Sequence, residues 1–171
     1  RHTANEWSKT HAEAPRYVAG SIGPTNRSLS ISPSVDDAAA RAITWSELTE
    51  TYSTQIEGLI DGGVDCLLIE TVFDTLNAKA ALWAADEVMR KKGRKLPIML
   101  SITLTESGRT LSGQTLEAML ASVAHAPLAS IGLNCGFGAE GMLLWVEMLA
   151  GITDLPVSVY PNAGLPNAMG E

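Results

Sequence analysis

The chain alternates short apolar runs with longer segments whose apolar residues recur every three or four positions. The short runs are rich in Val, Ile and Leu, which is typical of strands buried on both faces. They cover residues 16–20, 66–69, 98–103, 130–133 and 157–160. Taking Leu67, Leu100, Ile131 and Ser158 as centres, the last four runs are 33, 31 and 27 residues apart. One βα unit needs about 30 residues, so the pattern predicts repeated βα units.

Helix signals fill the intervals between these runs. Residues 44–47 read Thr-Trp-Ser-Glu, a capping box that opens a helix ended by the Gly-Gly pair at 62–63. Asp74 is the expected N-cap of the next helix, which ends in a basic turn followed by Gly93.

Three more helical segments complete the pattern. Helices are predicted over residues 115–124 and 139–151, and residues 4–12 also have helical spacing. Because that first segment has no clear start, we interpret residues 1–15 as the tail of a preceding helix.

Repeated βα units imply an α/β protein with a parallel sheet, either open and doubly wound or closed as a (β/α)8 barrel. Neither a GxGxxG nor a Walker loop follows any predicted strand; Gly136-Phe137-Gly138 is only a fragment of such a loop. A complete barrel has eight units in about 250 residues, whereas five strands are predicted here. The pattern therefore favours one incomplete barrel domain over residues 1–171.

Composition narrows the class of protein. With 12 Lys and Arg against 19 Asp and Glu, the net charge is −7, and no basic run favours nucleic acid or an anionic membrane. No apolar stretch approaches the ~18–20 residues of a membrane span. The two cysteines lie far apart, which favours a reduced, cytoplasmic protein over a disulfide scaffold. The chain starts at Arg1 without Met, so we expect it to be part of a longer one.

Polar residues follow each predicted strand, at the sheet edge where α/β proteins place their chemistry. They are Ser21 within a Gly-Ser-Ile-Gly-Pro-Thr segment, Glu70, Thr103, Asn134 with Cys135, and Asn162. Because five strand ends carry such residues along one edge, a binding or catalytic site is predicted there.

Each of these residues also has a purely structural interpretation. Glu70 either caps the following helix or binds a substrate ammonium at the barrel mouth. Cys135 is either an inert buried thiol or a nucleophile or metal ligand, and no histidine is placed to form a Cys–His pair with it. From spacing alone, a turn is the favoured role of Asn162, and the core is the favoured place for Cys66.

Five longer segments carry a family resemblance. They are residues 20–27 (GSIGPTNR), 69–80 (IETVFDTLNAKA), 107–114 (SGRTLSGQ), 132–135 (GLNC) and 160–168 (YPNAGLPNA). In order and separation they resemble the homocysteine-binding module of the cobalamin-dependent methionine synthases, within the homocysteine S-methyltransferase superfamily. The resemblance covers nearly all of residues 16–171.

The resemblance implies a (β/α)8 barrel with a Zn²⁺ ion held by three cysteines. Cys135 matches the ligand that follows the sixth strand, and the other two form an adjacent pair after the eighth, outside this chain. The chain would then hold strands three to seven. A single thiolate does not make a tight tetrahedral zinc site, so the isolated chain is expected to be inactive.

The resemblance also implies roles for the other polar residues, none of them catalytic in itself. Glu70 would bind the homocysteine amino group, with Ser21, Thr103 and Asn134 also contacting this substrate. Asn162 would occupy the fourth zinc position until the substrate sulfur replaces it.

The methyl donor implied by the resemblance is methylcobalamin, which is carried on a cobalamin-binding module of the same parent chain and recharged from methyltetrahydrofolate. Two alternatives remain open: a stand-alone homocysteine S-methyltransferase that uses S-methylmethionine or betaine, and a truncated, inactive binding module.

Overall fold

The computed structural model describes residues 1–164, which form one five-stranded sheet with helices between the strands. The strands are β1 (Ala19–Ile22), β2 (Cys66–Val72), β3 (Ile98–Ile102), β4 (Leu128–Gly138) and β5 (Val157–Asn162). The helices are α1 (His2–Thr10), α2 (Trp45–Asp61), α3 (Thr75–Lys92), α4 (Leu116–Val123) and α5 (Ala139–Ile152). Asn162 is the last strand residue described, and the end of the 160–168 segment lies outside the described residues.

The order of the strands decides between the two predicted architectures. Every strand pairs in parallel with the next one in sequence, giving the order β1-β2-β3-β4-β5. A doubly wound sheet would reverse its order at a switch point, whereas a barrel does not. Since parallel crossovers are right-handed, this order places α2 to α5 on one side of the sheet. The partial barrel is therefore confirmed.

The helices begin and end where local sequence signals predict. Thr44 and Glu47 form the full capping box of α2, and the Asp74 side chain accepts the Leu76 N–H at the start of α3. Gly93 adopts the left-handed conformation after α3. The predicted segment 4–12 overlaps α1, which begins two residues earlier. None of the helices in residues 1–164 combines the length and apolarity of a membrane span.

The first strand differs from its prediction. It was expected at residues 16–20 but occupies Ala19–Ile22. The reason lies in Asp65, whose carboxylate accepts the Val18 N–H at 2.8 Å while its own N–H donates to the Val18 carbonyl at 2.8 Å. Val18 is therefore held by Asp65 ahead of the strand, and Ser21 lies inside the strand rather than after it.

The two faces of the sheet have different chemistry. Alternate strand residues point toward the helices and are buried, among them Leu67, Ile69, Leu100, Ile102, Ile131 and Leu133. The other face is concave and more polar, and it includes Ser21, Glu70, Ser101, Asn134 and Tyr160. Gly132 also lies on this face. A Cβ there would stand 2.0 Å from the Ser158 carbonyl oxygen, so the position requires glycine. That glycine allows β4 and β5 to approach closely.

Candidate functional site

Glu70 lies near the carboxyl end of β2, with both carboxylate oxygens held by hydroxyl groups. Ser21 of β1 donates its hydroxyl to Oε1, and the Tyr160 hydroxyl of β5 donates to Oε2 at 3.2 Å. In the sheet order, β5 is separated from β2 by two strands. The bond from Tyr160 therefore crosses the concave face, as the curvature of a barrel allows.

The environment keeps Tyr160 a neutral hydrogen-bond donor. Burial raises its pKa above the ordinary value, a Ser101 hydrogen bond acts in the opposite direction, and the negative charge of Glu70 raises it further. A protonated phenol beside a carboxylate orients that carboxylate without neutralising it. One anionic group thus stands at the concave mouth with its oxygens in fixed positions.

The structure also bears on the simpler interpretation of Glu70. The N-cap of α3 is Asp74, not Glu70, and Glu70 remains within the strand. Its side chain is partly exposed on the concave face. A carboxylate there is available to a cationic ligand.

Asn134 lies on β4 with its side chain buried and bonded toward β2. Its Oδ1 accepts the Thr71 N–H at 3.1 Å and the Ser101 hydroxyl at 2.6 Å, while its Nδ2 donates to Thr71 Oγ1 at 2.8 Å. The residue is 5% exposed. The amide therefore ties together the ends of β2, β3 and β4.

Cys135 follows Asn134 and turns the end of β4 outward. Its φ is 57° and that of Gly136 is 74°, both left-handed. A Cβ on Gly136 would meet the Leu104 carbonyl oxygen at 2.6 Å, so only glycine fits there. Cys135 is consequently an exposed free thiol, unlike an inert cysteine of the core. It lies at the same end of the sheet as Glu70, where the parallel strands have their carboxyl ends.

Cys66 has a different environment at the opposite end of its strand. It is half-buried, and burial raises the pKa of its thiol, with the nearby Asp65 charge acting in the same direction. A thiol in this state is a poor nucleophile and metal ligand. Its position agrees with a structural role.

Thr103 and Asn162 both lie beside the end of β4. Thr103 follows β3, its N–H donates to the Val72 carbonyl at 3.0 Å, and its Oγ1 lies 3.4 Å from the position that a Cβ on Gly136 would occupy. Asn162 is exposed at the end of β5 and is paired in register with Gly138. Both residues therefore flank the turn that carries Cys135.

The donor set decides how well these residues fit a zinc ion. Within residues 1–164 there is no group of three or more His, Cys, Asp or Glu side chains that could hold a metal. A catalytic zinc has three protein ligands and one open or exchangeable position. Cys135 therefore provides at most one ligand of such a set, and the described residues do not complete it.

Tyr160, Thr71 and Ser101 take part in the site but are not predicted by the sequence analysis as site residues. Strand alternation over residues 157–162 places Tyr160 on the face that carries Ser158, so its presence at the mouth was accessible from the pattern. The role of Thr71 was not accessible from the pattern, because Thr71 has a positive φ, a conformation that a β-branched residue disfavours.

Comparisons with known proteins agree with this fold. The sequence profile of the family described as homocysteine S-methyltransferase matches residues 1–171. The homocysteine methyltransferase MmuM from Escherichia coli is similar in structure, with a TM-score of 0.75 for its apo form and 0.76 for its metallated form. Sequence identity is 25% in both cases, and 96% of this chain is covered.

The match covers only part of those relatives. This chain spans 56% of the apo MmuM chain and 55% of the metallated one, which agrees with five strands of an eight-stranded barrel. The profile match over the whole sequence, together with the fold, shows that the chain belongs to the homocysteine S-methyltransferase family.

Proposed function

We propose that this chain supplies the homocysteine-binding part of a methionine synthase, in which the homocysteine sulfur accepts a methyl group to give methionine. The observation that carries the proposal is the Glu70 carboxylate, oriented by Ser21 and Tyr160 at the same strand ends as the exposed Cys135 thiol. A carboxylate suits the substrate ammonium, and a thiolate suits a soft metal that binds the substrate sulfur.

Charge explains how the residues of this chain bind the amino acid. Glu70 pairs with the ammonium group, and the hydroxyls of Ser21 and Tyr160 leave its remaining lone pairs directed at the ligand. Thr103, which follows β3, and Asn134 on β4 complete the neighbourhood. This arrangement would direct the substrate sulfur toward a metal held by Cys135.

Zinc would supply deprotonation of the substrate thiol, whose ordinary pKa is about 8.5, while leaving the sulfur nucleophilic. Cys135 would be one ligand, the other two cysteines would lie outside residues 1–171, and Asn162 would hold the position that the substrate sulfur takes. In the transfer the sulfur forms the new bond to the methyl carbon, and the donor keeps the electron pair of the bond that breaks. The isolated chain would then be inactive.

We further propose that the donor is methylcobalamin, presented by another module of the same protein in the cytoplasm and regenerated from methyltetrahydrofolate. The support is the resemblance of residues 69–80 and 160–168 to the cobalamin-dependent branch. The likeness to the homocysteine methyltransferase MmuM favours a second candidate, a stand-alone homocysteine S-methyltransferase. The donors we would expect for that candidate are S-methylmethionine and betaine. Methyl transfer to homocysteine, assayed with each donor in turn, distinguishes them.

The binding step is tested by calorimetry on a zinc-loaded complete barrel that contains this chain. Glu70→Gln removes the charge but keeps the shape of the side chain. Loss of a charge-assisted hydrogen bond costs roughly 1.5–3 kcal/mol, so homocysteine affinity should fall roughly ten- to a hundredfold.

The matched ligand control is 4-mercaptobutyrate, which is homocysteine without its amino group. Its affinity should be the same for the wild type and Glu70→Gln, and zinc content should not change. Equal losses for both ligands would contradict ammonium binding by Glu70. A wild-type barrel that binds neither ligand would overturn the proposed function itself.

A further inference from the structure

Two residues at the candidate site hold a backbone conformation that their side chains disfavour. Among the non-glycine residues of 1–164, Thr71 and Cys135 are the ones with positive φ, and both have the value 57°. Thr71 directly follows Glu70, and Cys135 directly follows Asn134. Such conformations persist only where surrounding contacts impose them.

The contacts at Thr71 come from the Asn134 side chain. Asn134 accepts the Thr71 N–H, which belongs to the peptide that joins Glu70 to Thr71, and it donates to the Thr71 side-chain hydroxyl. The Ser101 hydroxyl donates to the same Oδ1 and fixes the amide against β3. Asn134 is also the residue whose backbone leads into Cys135.

The register of the sheet shows where the Asn134 hydrogen bonds act on the backbone. Pairing between β2 and β3 shifts between Ile69 and Val72, and pairing between β4 and β5 shifts between Asn134 and Gly138. Regular ladder bonds therefore do not fix the backbone at either place. The Asn134 amide supplies the constraint where the ladders are interrupted.

We propose that Asn134 is a positioning residue that sets Glu70 and Cys135 relative to each other rather than touching the substrate. Its side chain is 5% exposed, and its oxygen already accepts two hydrogen bonds. Homocysteine must meet a carboxylate at its amino group and a metal at its sulfur, so its affinity depends on the separation of the two binding groups. This inference rests on the proposed function, which provides the ligand.

The test compares variants of the zinc-loaded complete barrel. Asn134→Ala should weaken homocysteine binding at least tenfold, because small misplacements of binding groups are costly. It should also weaken zinc binding, measured by competition with a chelator, because Cys135 loses its support. Ser130→Ala is the matched control, since Ser130 is a buried residue of the same strand whose hydroxyl has no partner.

A second substitution separates positioning from substrate contact. Glycine adopts positive φ without restraint, so adding Thr71→Gly to Asn134→Ala should restore part of the homocysteine affinity. Zinc affinity should stay low, because Cys135 is still unsupported. Should Asn134→Ala fail to fold, Thr71→Val removes the Oγ1 acceptor instead and should weaken homocysteine binding at unchanged zinc affinity.

The outcomes are distinct. Weaker homocysteine binding by Asn134→Ala with unchanged zinc affinity and no rescue by Thr71→Gly would make Asn134 a substrate contact and overturn the inference. Behaviour equal to that of Ser130→Ala would also overturn it, since Asn134 would then be packing alone. In both cases the wild type still binds homocysteine, so the proposed function stands; a wild type that does not bind removes the proposed function first.

Discussion

The buried carboxylate of Asp74 offers the sharpest test of how the barrel mouth is stabilised. Asp74 is fully buried and is the N-cap of α3, where its Oδ1 accepts the Leu76 N–H at 2.8 Å. The same carboxylate accepts the Ser28 hydroxyl, the Ser30 N–H at 3.1 Å and the Ser30 hydroxyl at 2.8 Å. One side chain thus starts a helix and holds the segment between β1 and α2 against it.

The size of the expected effect follows from these bonds. Loss of an N-cap costs about 1 kcal/mol. Each buried donor left without its acceptor adds roughly 1–3 kcal/mol, with less than full additivity. Asp74→Ala should therefore lower the free energy of unfolding by about 3–5 kcal/mol, a large part of the ~5–15 kcal/mol typical of a domain.

Thr115→Ala is the matched control, because the Thr115 side chain caps α4 through a single bond to the Ala118 N–H. In urea unfolding of the complete barrel that contains this chain, Thr115→Ala should lower the free energy of unfolding by about 1 kcal/mol. Asp74→Asn, which keeps one oxygen acceptor and replaces the other with an uncharged NH₂ donor, should lie between the two. If Asp74→Ala proves no more destabilising than Thr115→Ala, the bonds to Ser28 and Ser30 contribute nothing and the reasoning is refuted.

Two further predictions concern groups at and away from the mouth. In Glu70→Gln the pKa of Tyr160 should fall toward its ordinary value, because the negative charge that opposes the phenolate is gone. Ultraviolet titration measures this pKa, with Tyr160→Phe as the control. An unchanged tyrosine titration would contradict the Glu70–Tyr160 contact. Near neutral pH in metal-free protein, Cys135 should react with a disulfide reagent faster than Cys66, because Cys135 is exposed whereas burial raises the pKa of Cys66. The variants Cys66→Ser and Cys135→Ser show which cysteine gives which rate. A faster reaction of Cys66 would refute the environments assigned to the two thiols.

The sequence predicts those features that neighbouring residues determine. The capping box at Thr44, the cap at Asp74 and the left-handed Gly93 all depend on contacts within a few positions, so their signals are complete in the local sequence. The placement of polar residues at strand ends follows from the alternation of strands and helices. For that reason the sequence alone places Glu70, Asn134 and Cys135 at one end of the sheet.

Features that depend on distant residues were placed less well. The start of β1 is set by Asp65, which is 47 positions from its partner Val18. The conformation of Thr71 is imposed by Asn134, which is 63 positions away, against the preference of threonine itself. The role of Tyr160 depends on how strongly the sheet curves, and that is a property of all five strands together.

The bond between Tyr160 and Glu70 has a consequence for the order in which the protein matures. The two residues are 90 positions apart, so during synthesis Glu70 is made long before the phenol that orients it. Contacts of such large sequence separation form late, because the intervening chain must first give up its conformational freedom. The anionic site is therefore among the last features to be assembled, and a nascent chain or folding intermediate without β5 in place holds Glu70 with only its Ser21 partner. Under the proposed function, affinity for homocysteine would then report on closure of the curved sheet as a whole, not on the formation of β2 alone.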